Sequence, residues 1–303
     1  MRSLTGDGFG WAILGIIALA AGLCVVASVA MVRAILARYD GPSLPKSPWT
    51  LFDAMVPFGI WIALEFLGIQ VLLSGSTAVL TSLVQGWGLD PATRAELFPT
   101  LQSTLVDELQ PLLLIYSSVV RLGCIVYVIS QAKLAGTTIE RACGWTWPRL
   151  GPGFIGGVAI FFAIVPGWLI ITEAWSVALE SFQHTEPQAI VETFQVALAE
   201  GRFWLPAVVA FAAIVVAPLF EEMLFRGVLL KALIDGGLPP VASVLLTGAF
   251  FSLIHGSIAA SIPLFLFGCV LGVVYLRTKT LWAPIVLHAT FNASQIVAMS
   301  LVS

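Results

Sequence analysis

Charge is scarce in this chain. Only 10% of its 303 residues are Asp, Glu, Lys or Arg, against about 25% in an ordinary soluble domain. A soluble globular fold is therefore excluded. No basic block interrupts the apolar sequence, and the net charge of -3 gives no electrostatic footprint for nucleic acid. Cysteine is sparse too. Cys24, Cys124 and Cys269 lie in apolar segments and Cys143 in a polar loop, with no spacing that marks a disulfide framework or a zinc ribbon. Histidine occurs three times, and no His-Glu-x-x-His motif is present.

What fills the chain is hydrocarbon, 59% of residues, giving a mean hydropathy of +0.99. About 20 apolar residues cross a bilayer as a helix. On that measure spans are expected near 10–33, 51–74, 111–132, 152–172, 203–232, 239–257, 260–277 and 281–301. The fold class is thus an all-α polytopic membrane protein, about eight transmembrane helices in one bundle. The first span is read as retained, because it exceeds a signal-peptide core and is followed by Arg33 and Arg38. Pro239-Pro240 and Trp282-Ala283-Pro284 mark helix starts, and Pro218 should bend the fifth span.

Orientation follows the basic residues. Arg33, Arg38, Lys46, Lys133, Arg141, Arg149, Lys231, Arg277 and Lys279 fall on one side, while the other is rich in Asp and Glu. The basic side is expected to be cytoplasmic, with both termini outside. Asp90-Pro91 reads as the start of a short helix through Phe98. Residues 174–200 read as surface helices on the membrane, so both outer loops, 75–110 and 174–200, should carry short helices. Gly151-x-Gly153 and Gly156-Gly157 permit close helix approach.

Charges that do enter the membrane need partners and usually a purpose. In the first half these are Glu65 and Arg121, at similar estimated depth, expected to pair and to be structural, with lining of a cavity as the lesser reading. In the last hundred residues three pairs recur at i, i+4: Glu222 with Arg226, Phe251 with His255, and His288 with Asn292. Each pair shares a helix face. Glu222 precedes Arg226 in the favourable ion-pairing order, while Glu221 points roughly 100° away without a local partner. A rise of about 1.5 Å per residue places Glu221, His255, His288 and Asn292 at roughly 12 to 24 Å from the basic side. Three separate helices can therefore meet at one site. A single His or Asn in a membrane helix is often only interhelical glue; the whole set is better read as functional.

Glu221-Glu222-x-x-x-Arg226, Phe251-x-x-x-His255 and His288-x-x-x-Asn292 resemble the three-motif signature of the CPBP family. That family comprises CAAX prenyl endopeptidases of the Rce type and bacterial Abi-type membrane proteases. The resemblance covers roughly 203–301, so residues 203–303 are expected to carry the catalytic helices and 1–202 the preceding spans. It implies an eight-helix intramembrane endopeptidase in a multi-pass bacterial inner-membrane protein. Its partners would be the bilayer and a peptide with a membrane-associated segment, prenylated or not. The residues themselves suit amide hydrolysis. Glu221 would take a proton from water held with His255, and His288 with Asn292 would donate to the oxyanion. Glu222 and Arg226 would brace the site, with Arg226 helping to dock substrate. No cofactor is required by this scheme. Zinc on Glu221, His255 and His288 is the alternative mechanism. A proton-coupled transporter or a non-catalytic scaffold is the alternative function. A Ser252–His255 mechanism lacks a third member.

Overall fold

The computed structural model describes residues 6–37, 46–181, 194, 197, 198 and 201–301. Their regular structure is helical throughout: α1 Gly6–Leu36, α2 Leu51–Gly86, α3 Pro91–Leu134, α4 Ile139–Cys143, α5 Leu150–Ser181, α6 Trp204–Asp235, α7 Pro240–Ile254, α8 Ser261–Thr278 and α9 Trp282–Leu301. Five segments are long and apolar enough to cross a membrane: α2, α3, Trp147–Glu180, α6 and α8. Two shorter apolar helices, Ala21–Leu36 and α7, join them. The chain is an all-α, integral multi-pass membrane protein.

Local sequence explains where the helices begin. Thr50 and Asp53 form a capping box at α2, each side chain accepting from the other's backbone N–H. Asp90 caps α3 by accepting from Ala92 and Thr93, with Pro91 in the first turn. The hydrogen bonds from Thr93 hold the Asp90 carboxyl below the usual carboxylate range. Its helix does not stop at Phe98, as expected. It continues through Pro99 and Pro111 for 44 residues, and α2 continues to Gly86. Segment 75–110 is therefore the far part of an α2–α3 hairpin and holds no separate surface helix. At about 1.5 Å per residue both helices far exceed the ~30 Å hydrocarbon core. In the other outer loop, α5 runs on to Ser181, and most of 182–200 lies outside the described residues.

The bundle is built around α6. Its Phe220, Met223, Leu224 and Phe225 are fully buried, enclosed by α2, α3, α7, α8 and α9. α5 lies between α1 and α9. There the expected glycine contact is made within the chain. A Cβ on Gly153 would lie 2.6 Å from Trp282 Cβ, and one on Gly157 would lie 2.7 Å from the Ala283 carbonyl oxygen. α7 and α8 touch backbone to backbone, a Cβ on Gly268 coming within 2.9 Å of Gly248 Cα.

One end of the bundle is closed by α4 and the turn after it. Lys231 Nζ donates to the Ala142 carbonyl at 2.7 Å, Tyr275 Oη to Cys143 at 3.0 Å, and Trp282 Nε1 to Thr146 at 3.0 Å. Cys143 is fully enclosed there, and burial pushes its thiol up to about 12. The four cysteines are free, as their spacing suggested.

Candidate active site

The residues singled out from sequence converge. α6 contributes Glu221, Glu222 and Arg226; α9 contributes His288 and Asn292; His255 stands just past the end of α7. At 15 residues, α7 rises only about 22 Å, short of a full crossing. His255 therefore sits where the chain turns back toward α8, with Gly256 at φ 63°. A turn at that depth is tolerated where it lines a cavity.

Glu221, His255, His288 and Asn292 all line one cavity of about 500 Å³, together with Arg121. Glu221 is buried, and its Oε2 has no hydrogen-bond partner. His288 Nε2 lies 3.9 Å from that oxygen, and Arg121 Nη1 lies 4.0 Å from Oε1. Glu221 lacks a partner on its own helix, yet faces two cationic or cation-forming groups from other helices.

Behind the cavity wall is a sealed chain of three residues. Arg226 Nη1 and His288 Nδ1 both reach Glu222 Oε1 at 2.9 Å, and Arg226 Nη2 donates to the Gly268 carbonyl at 2.9 Å. A carboxylate only accepts, so Nδ1 of His288 carries the proton and Nε2 is turned toward Glu221. Arg226 is fully buried and is absent from the cavity lining. The expectation that it docks substrate is corrected on that ground: both its terminal nitrogens are spent inside the bundle. Phe251 explains its place in the second motif. It lies 4.9 Å beneath the Arg226 guanidinium and 5.8 Å from the His288 ring.

The other two polar groups are aimed by the backbone. His255 Nδ1 meets the Phe251 carbonyl at 2.6 Å, so Nδ1 is the donor and Nε2 keeps a free lone pair. Asn292 Nδ2 donates to the Ala213 carbonyl at 2.7 Å. That carbonyl is free because α6 takes π-helical form over Ala212–Val216. Ala217 N–H bonds Ala212 instead, and Pro218, next in register, has no N–H. Pro218 is thus absorbed by a change of helical register whose spare acceptor binds Asn292. Ser252 Oγ donates to the Ser261 carbonyl at 2.7 Å and is committed there.

In the first half, Glu65 and Arg121 pair as expected, Oε1 to Nη2 at 3.6 Å. Trp61 Nε1 and Ser117 Oγ also donate to Glu65. Arg121 has the lesser expected role too, since it reaches both Glu65 and Glu221 and lines the cavity. As to metal, among the described residues no three His, Cys, Asp or Glu side chains gather closely enough to hold an ion. Glu222 is engaged by Arg226 and His288.

A buried carboxylate facing a cavity inside a bundle of apolar helices defines the class: a polytopic membrane protein with a polar site enclosed among its helices. Residues 203–294, about a third of the chain, match the family model described as type II CAAX prenyl endopeptidase Rce1-like, so this segment is similar to that family. No curated protein and no solved structure matches it.

Proposed function

We propose that the protein hydrolyses a peptide bond of a membrane-associated substrate, with Glu221 as the base that activates water. The observation that carries this reading is the unpartnered Glu221 Oε2, buried on the wall of the 500 Å³ cavity. A buried carboxylate oxygen without a donor is costly unless something binds it, and a water is the fitting ligand. His255 Nε2 can accept from the same water. As water attacks the carbonyl carbon, its proton passes to Glu221, and the oxygen of the scissile carbonyl becomes an oxyanion. The second hydrogen of Asn292 Nδ2 is available to that oxyanion. His288 joins it when Nε2 is protonated, the Glu222 carboxylate at 2.9 Å and the oxyanion itself balancing the charge. When the C–N bond breaks, Glu221 returns the proton to the leaving amine. Glu222 and Arg226 touch none of the reacting atoms and act by holding His288.

The family model supports a C-terminal CAAX-like peptide as substrate, prenylated or otherwise membrane-associated. The test is cleavage of a farnesylated CAAX peptide beside a mixed peptide library by purified protein, with and without a chelator. Cleavage that survives chelation supports the glutamate mechanism. Cleavage that is lost and then restored by Zn²⁺ overturns it in favour of the metal alternative. Correctly folded protein inert on every peptide counts for a transporter or scaffold.

A further inference from the structure

A second cavity, of about 590 Å³, opens between α1, α5 and α8 and shares no lining residue with the Glu221 cavity. Its size falls within the roughly 300–1,000 Å³ of small-ligand sites. It exists because α1 packs along α5 and only grazes α8, leaving a crevice floored by Ile164. Val29 and Val32 line one wall, and Val270 and Val273 the other. Val29 and Val273 are exposed, so the crevice faces the bilayer. At its rim stand Arg33 and Arg277, in the last turns of α1 and α8. Both are exposed, and neither side chain has a hydrogen-bond or ion-pair partner among the described residues.

The order along each wall is apolar first, then cationic. Val29 lies about 6 Å deeper than Arg33, and Val270 about 10 Å deeper than Arg277. That is the profile of one acyl chain beneath its phosphate. Two cations without a counter-charge among the described residues favour a headgroup of net negative charge over a zwitterionic one, whose own ammonium offsets the phosphate. We infer that this crevice binds an anionic phospholipid, one acyl chain lying along Val29, Val32, Val270 and Val273 and the phosphate held between Arg33 and Arg277. The lipid would fill the gap between α1 and α8 and tie the first helix to the bundle.

The test titrates delipidated full-length protein with phosphatidylglycerol, phosphatidylcholine and glycerol 1-phosphate, counting bound molecules by native mass spectrometry. One tightly bound phosphatidylglycerol is expected, with phosphatidylcholine held at least ~10-fold more weakly. Glycerol 1-phosphate should not displace the lipid. Arg33→Gln with Arg277→Gln should weaken phosphatidylglycerol roughly 30-fold. Val273→Trp, which fills the crevice and keeps both cations, should weaken it as well. Equal binding of the two lipids, displacement by glycerol 1-phosphate, or unchanged affinity in the folded arginine variant would overturn the assignment. Should that variant fail to fold, by its lipid-free melting curve, Val273→Trp decides: retained affinity rejects the site and reduced affinity supports it.

Discussion

Two Glu–Arg pairs flank Glu221, and their surroundings differ more than their chemistry. Glu222 and Arg226 are four residues apart on α6, 2.9 Å from each other, both without solvent exposure. Glu65 and Arg121 come from different helices, lie 3.6 Å apart, and keep about a fifth of their side-chain surface open. The sealed pair is engaged inward, by His288 and by the Gly268 carbonyl. The open pair still reaches outward, Arg121 lying 4.0 Å from Glu221. Burial thus sorts two similar pairs into different work. One fixes a histidine, and the other sets the charge beside a carboxylate in the cavity.

The comparison breaks most visibly if Arg226 is removed. Arg226→Met leaves Glu222 as an uncompensated buried charge, which should cost about 3–5 kcal/mol of stability and show as a large fall in the detergent unfolding midpoint. Adding Glu222→Leu should recover much of that loss, because a buried pair is often replaceable by apolar residues. It should not recover peptide cleavage, since His288 then loses its Nδ1 acceptor. Recovery of both would mean that the pair does not position His288.

A smaller effect is expected from Gly157→Ala. The new methyl would press on the Ala283 carbonyl and Leu287 N–H of α9, at a cost of about 1–3 kcal/mol. Because α9 carries His288, cleavage should fall while the Glu65–Arg121 pair stays intact. A folded variant with full activity would show that α9 can shift without disturbing the site.

The smallest change in stability is expected at the open pair. Glu65→Gln should lower stability by no more than about 1 kcal/mol, as for partly exposed ion pairs. The swap Glu65→Arg with Arg121→Glu restores the pairing and should recover the folded yield that either reversal alone loses. It also sets a second carboxylate beside Glu221, so cleavage should stay low. If the swap recovers activity along with yield, the contact between Arg121 and Glu221 has no role in the chemistry.

Much of this site was legible because helical spacing is a local property. The i, i+4 order of Glu222 and Arg226, the shared face of His288 and Asn292, and the isolation of Glu221 on its own helix all follow from 3.6 residues per turn. So does the depth match that allowed Glu65 to meet Arg121. Contacts between helices were not legible in that way. Nothing in the spacing says that His288 Nδ1 turns to Glu222, or that Arg226 is sealed from the cavity it was expected to serve. The effect of the internal prolines was not legible either. Pro99 and Pro111 sit inside one continuous α3, and Pro218 is taken up by a π-helical register whose freed carbonyl then aims Asn292. The role of Phe251 became clear only from the ring it places beneath Arg226.

The central claim is that Glu221, not the pairs around it, does the chemistry. Its most direct test is Glu221→Gln, which keeps the shape of the side chain and removes the base. Cleavage of a peptide substrate of the wild type should fall at least ~100-fold, with an unfolding midpoint close to wild type. Full cleavage by the folded Glu221→Gln protein would contradict the account.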